Sequence, residues 1–213
     1  MEKRGPIFEK IYHDYLRQMQ SLDFREISRR LNLTLEGEEL IVPFFHRTYR
    51  VSKQGIVVEE GDAPIYAECV VLAKYILLTP KEPPPCFSQW WTFKDFRDAA
   101  PFAGAFHNNV EKAIARNFSG RIKELEMACR AMGGMVPDDM SLSYELVQRF
   151  HALPTMDMLL VFNDVDEEFP AEARVLFPDN ASHYLDMECL AISGWLLADY
   201  LYLQAGGTHY TIM

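Results

Sequence analysis

The chain has 213 residues, of which 49% are apolar and 13% aromatic, enough to bury a sizeable core in one large domain or two small coupled ones. Its net charge is −10 and no basic run exceeds RTYR or SRR, so its average field repels phosphate backbones and argues against nucleic-acid binding. The opening MEKRGPIFEKIYHD is charged where a signal peptide is apolar. The longest apolar runs, CVVLAKYILL and CLAISGWLLADYLYL, are shorter than a membrane span and contain Lys74 and Asp199, so the expected protein is cytoplasmic with no membrane contact.

In chain order, Ile7, Phe8, Ile11, Tyr12, Tyr15, Leu16 and Met19 recur at helical spacing and predict an amphipathic helix. Ser21 or Asp23 can cap a second helix through DFREISRRLNL, and Gly37 marks a turn. ELIVPFFHRTYRV followed by SKQG and IVV reads as a β-hairpin. Asp62 then caps APIYAECVVLAKYILL, with Pro64 in its first turn; apolar nearly all round, this segment predicts a central buried helix. TPKEPPPCFS, residues 79–88, holds three consecutive prolines and predicts an extended linking segment.

Beyond it, NNVEKAIARNF and SGRIKELEMACRAMGG predict two helices, the latter capped by Ser119 and ended by Gly133 or Gly134. SLSYELVQRFHAL, MDMLLVFND and EARVLF read as strands, and a long apolar helix is expected from Ser182. The order repeats that of the first half. ELIVPFFH at 39–46 matches ELVQRFH at 145–151, and Glu68-Cys69 matches Glu188-Cys189, each pair six residues after its expected cap. The expected fold is therefore α+β, with two related halves (1–78 and 109–213) joined by a Pro-rich, aromatic segment (79–108) within one compact domain. Each half would consist of helices, an antiparallel hairpin or meander, and a buried apolar helix.

Chemistry is harder to find. The stretch FNDVDEEFPAEARVLF packs Asp164, Asp166, Glu167, Glu168 and Glu172 between apolar runs, but a calcium-binding EF-hand loop counted from Asp164 would need glycine where Phe169 stands and glutamate where Val175 stands. A solvated connection between two strands is the better reading. The four cysteines, at 69, 86, 129 and 189, lack the close pairing of zinc or iron–sulfur sites. Pseudo-symmetry could still bring Glu68, Cys69, Glu188 and Cys189 together as a divalent metal site, although no histidine stands at ligand spacing beside them. No GxSxG elbow or phosphate-cradling glycine loop occurs.

The richest polar–aromatic stretch is SQWWTFKDFRDAAPFAGAFHNN, which sets Trp90, Trp91, Phe93, Phe96, Phe102 and Phe106 among Asp95, Arg97, Asp98, His107 and Asn108. Aromatic area beside orienting polar groups is the composition of a small-molecule pocket, and equally of a packed aromatic clamp. With NVEKAIARNFSG and LLVFNDVDEEFPAEARVLF…YLDMECLA, this segment carries a resemblance: from about residue 25 onward the chain resembles the domain of unknown function 3786 family, found mainly in anaerobic bacteria and archaea. The resemblance implies an ordered cytoplasmic domain and no established catalytic residue. Some relatives carry an added four-cysteine iron–sulfur domain, whose cysteine cluster this sequence lacks.

Three readings follow. The leading one is an accessory domain that binds a small ligand or a protein partner without catalysis. The alternative is a metal- or cofactor-dependent enzyme of anaerobic metabolism that uses the Glu-Cys pairs or the 95–107 segment. The third is a homo-oligomer that buries surplus aromatics at a two-fold interface.

Overall fold

The computed structural model describes residues 6–138 and 143–208. The fold is mixed α+β, built on two antiparallel four-stranded sheets. Helix α1 (Pro6–Met19) turns Leu16 and Met19 into the core, with Tyr12 and Tyr15 packed beside them; Ile11 faces solvent, and Ile7 and Phe8 lie outside the residues whose side chains are described. Helix α2 (Phe24–Leu31) starts at Asp23, whose carboxylate accepts from the Arg25 and Glu26 N–H groups. Capping thus falls to Asp23 rather than Ser21.

The first sheet is a meander of β1 (Thr34–Glu36), β2 (Glu39–Phe44), β3 (Arg47–Val51) and β4 (Ile56–Val58). Alternation along β2 sends Leu40, Val42 and Phe44 inward, as a half-buried strand requires. The second sheet has the order β5-β8-β7-β6, from β5 (Trp90–Thr92), β6 (Leu146–Leu153), β7 (Met156–Asn163) and β8 (Glu172–Pro178). Its β6–β7–β8 meander matches the three predicted runs, although Ser141 and Leu142 of the first run lie outside the described residues. Strand β5 lies inside the segment read as a linker; Trp91 pairs with Phe177 across the β5–β8 ladder.

Each meander feeds a buried helix. Helix α3 (Tyr66–Leu77) is capped three residues later than Asp62, at Ile65, whose N–H is bound by the Glu68 carboxylate at 2.9 Å. Asp62 instead offers its carbonyl to Arg47. Helix α7 (Met187–Gln204) begins at Asp186 rather than Ser182, because a short 3-10 turn at Ala181–His183 comes first. Helices α3 and α7 pack antiparallel, with Lys74 reaching Asp186 at 3.0 Å near one end and Tyr200 reaching Glu68 at the other. Between the sheets, the Phe45 N–H donates to the Ala152 carbonyl at 2.9 Å.

After β5 comes one helical rod interrupted in the middle: α4 (Ala100–Phe106), which begins inside the segment read as a linker, a π-helical turn at His107–Glu111, and α5 (Lys112–Phe118). Helix α6 (Ile122–Ala131) follows. Its start is not capped by Ser119; Asp164, from the acidic stretch, accepts from the Gly120 N–H at 2.6 Å and the Ile122 N–H at 3.3 Å. The acidic stretch is thus the β7–β8 connection, and one of its carboxylates serves as a helix cap from outside the helix. Among the described residues no helix is long and apolar enough to cross a membrane.

Candidate functional site

Two open grooves carry the polar–aromatic chemistry. The larger, of about 700 Å³, runs between residues 91–102 and the loop 179–188. These segments are nearly ninety residues apart in the chain and meet because β5 adds to the edge of β8. The extended Pro segment holds them there: the Asn180 amide donates to the Pro85 carbonyl at 2.9 Å, and Asp179 accepts from the Ser88 N–H and hydroxyl. Those donors hold the Asp179 carboxyl below its ordinary range.

Trp91, Phe96 and Phe102 form the aromatic wall, with Leu185 and Met187 opposite. Trp91 and Phe96 meet edge to face at 5.2 Å, a favourable ring geometry. Around the rim stand Arg97, Asp98, Asp179, His183, Asp186 and Glu188. Asp186 is already engaged: burial raises its carboxyl, but the Cys189 N–H and Lys74 outweigh that and leave it below the usual range. Asp98 and Glu188 form no hydrogen bond or ion pair with another described residue.

The second groove, of about 560 Å³, lies between the π-turn and the acidic connection. Here Glu111 is 6% exposed; its Oε2 lies 2.8 Å from His107 Nδ1 and 3.2 Å from Arg174 Nη1, and its Oε1 faces the Val175 N–H at 3.4 Å. A carboxylate can only accept, so the neutral His107 ring carries its proton on Nδ1 and keeps Nε2 as an acceptor, on a side chain that lines the groove. The π-turn rotates His107 and Glu111 relative to a regular helix, and such turns recur at functional sites.

The residues singled out in the sequence distribute as follows. Trp91, Arg97 and Asp98 line the larger groove, joined by Glu188 from the other end of the chain. Phe93 is buried, stacked on Phe106 at 4.3 Å and 7°. Asp95 accepts from the Thr92 N–H and hydroxyl, closing its own 3-10 turn. Trp90 packs on Phe87 outside the groove, His107 lines the smaller groove, and Asn108 is exposed.

The twin Glu-Cys pairs do not converge as a ligand set. Glu68 is 1% exposed and bound by Arg47 (2.8 Å), Tyr200 (2.5 Å) and the Ile65 N–H. Glu188 stands twelve residues before Tyr200 on α7, about 18 Å along the axis, and is exposed. Cys69 and Cys189 are buried, and burial pushes the Cys189 thiol up, away from the thiolate a metal needs. Among the described residues no three His, Cys, Asp or Glu side chains gather as a metal site requires.

The residues that single-sequence reasoning passed over are Asp179, His183 and Asp186 in one groove, and Glu111 and Arg174 in the other. Glu111 had a signal, its i,i+4 spacing from His107. Arg174 and the 179–186 loop had none, because strand pairing alone brings them in.

A family profile for a domain of unknown function, DUF3786, matches residues 23–200. The chain belongs to the DUF3786 family. Comparison with curated proteins and with solved structures gives no match. Helices α2 to α6 and both sheets fall inside the matched DUF3786 region, as do both grooves.

Proposed function

We propose that this DUF3786 domain is an accessory module that holds a small molecule, without catalysis, in the groove between residues 91–102 and 179–188. The observation that carries this reading is the convergence of an aromatic wall with a polar rim, two of whose carboxylates have their protein partners and two of which do not. Small-molecule sites combine apolar area with a few orienting polar groups in this way. The test is a screen of a charge-diverse fragment library against the whole isotopically labelled protein, read at the Trp91 indole N–H signal. Saturable shifts at Trp91 are expected, and binding of the same fragments followed by calorimetry should be lost in Trp91→Ala. A screen that leaves the Trp91 signal unmoved would overturn the reading.

One observation favours a second reading, an enzyme that moves a proton at His107. A groove-lining histidine oriented through Nδ1 by a buried carboxylate, with Nε2 left as an acceptor, has the arrangement of a general base. It predicts turnover of chromogenic ester or phosphate substrates that His107→Ala abolishes while the fold persists. A panel without turnover would remove this reading and leave the first in place.

A further inference from the structure

Resting on the proposed small-molecule groove, we infer that its ligand is an organic cation, an ammonium group carried on an apolar body. Three observations lead there. First, the half-buried Trp91 and Phe102 line the wall, with Phe96 buried against Trp91, and the faces of aromatic rings carry negative potential that attracts desolvated cations, indole most strongly. Second, the rim holds four carboxylates, Asp98, Asp179, Asp186 and Glu188, against the single guanidinium of Arg97 and the imidazole of His183.

Third, those carboxylates divide into two kinds. Asp179 and Asp186 are consumed by Ser88 and by Lys74 with the Cys189 N–H. Asp98 and Glu188 have no such partner, so they flank the aromatic wall as the charges left to meet a ligand. An anionic ligand would face those two carboxylates within a chain of net charge −10. A neutral apolar ligand would gain the wall and leave both carboxylates unanswered. The ordinary alternative is a solvated acidic rim, which predicts no preference among ligands of different charge.

The experiment titrates the whole protein at low ionic strength with benzyltrimethylammonium, benzyl alcohol and benzoate, probes that share a ring and differ in charge, each followed at the Trp91 indole signal. The expected result is saturable binding of the cation at least tenfold tighter than either other probe, weakening as salt is raised. The double variant Asp98→Asn/Glu188→Gln should weaken the cation about tenfold and leave benzyl alcohol unchanged. Equal or tighter binding of benzyl alcohol or benzoate at Trp91, or full cation affinity in the double variant, would overturn the inference. If fragments of other charge occupy the groove while the cation does not, the ligand class is wrong and the groove stands; if nothing occupies it, both readings fall.

Discussion

A methyl group added at Gly194 would lie 2.4 Å from Cε2 of Phe106 and 2.9 Å from its Cζ. Phe106 is held in place, because it is stacked on Phe93 and its ring lies tilted against Phe177 at 5.9 Å. In an exposed helix, Gly→Ala stabilises by roughly 1 kcal/mol. Here the sign should reverse, with Gly194→Ala costing about 1–3 kcal/mol through overpacking. Urea unfolding checks it: the midpoint should fall at constant slope, and a rise would show that the ring relaxes freely.

Tyrosines set a second expectation at this scale. Burial raises the Tyr49 and Tyr200 hydroxyls well above their ordinary range, with Glu68 adding to both, and raises Tyr66 to about 12. An acid whose folded pKa exceeds its unfolded value of about 10 lends stability that is whole below pH 10 and lost above it. Stability should therefore decline from about pH 10 upward. The tyrosinate absorbance of Tyr49 and Tyr200 should appear together with loss of circular dichroism; smooth titration in a folded protein would contradict their burial.

At the scale of elements, α6 depends on a residue outside it. Asp164→Ala removes the acceptor for the Gly120 and Ile122 N–H groups and should cost about 1 kcal/mol, as loss of an N-cap does. Amide exchange should quicken in the first turn of α6, and unchanged exchange there would show that water replaces the carboxylate at no cost. The π-turn makes a separate prediction. With Glu111 holding Nδ1, the neutral His107 ring should show the Nδ1–H tautomer by nitrogen chemical shift, and Glu111→Ala should move it toward the ordinary mixture.

Elements differ in how plainly the sequence declares them. Helices α3 and α7 and strands β6, β7 and β8 are visible as long apolar or alternating runs whose burial follows from composition. Strand β5 is not, since three residues after a proline segment become a strand through pairing with β8, a contact the local pattern does not contain. Helix starts moved by three and four residues because Glu68, which binds the Ile65 N–H, and Asp186 outcompeted Asp62 and Ser182 as caps. The same division holds for the groove: Trp91, Arg97 and Asp98 stand out as a local density of rings and charges, whereas the 179–188 wall depends on sheet order.

At the scale of the molecule, the two sheets are tied through a small polar cluster. The β2–β3 turn places Phe45 in the left-handed region (φ 52°), an uncommon conformation for a bulky residue, and holds it with the Phe45–Ala152 hydrogen bond. The rings of Phe45 and His46 pack against Tyr200 at 5.7 and 5.2 Å, and the Tyr200 hydroxyl donates to Glu68, which pairs with Arg47 from β3. The first sheet, α3 and α7 therefore share one buried carboxylate. Glu68→Ala leaves Arg47, whose side chain is 19% exposed, without its carboxylate though still bound to the Asp62 carbonyl, and leaves the Tyr200 hydroxyl without its acceptor; the loss should be about 3 kcal/mol, at the lower end for breaking a buried pair. Trp90 and Trp91 lie on β5 of the second sheet and Trp195 lies on α7, whereas Glu68 lies on α3 and pairs with Arg47 of the first sheet. If the sheets unfold as one unit, Glu68→Ala shifts the tryptophan fluorescence transition and the circular dichroism transition by the same amount. A fluorescence transition that stays in place while circular dichroism moves would mean that the second sheet folds without the first.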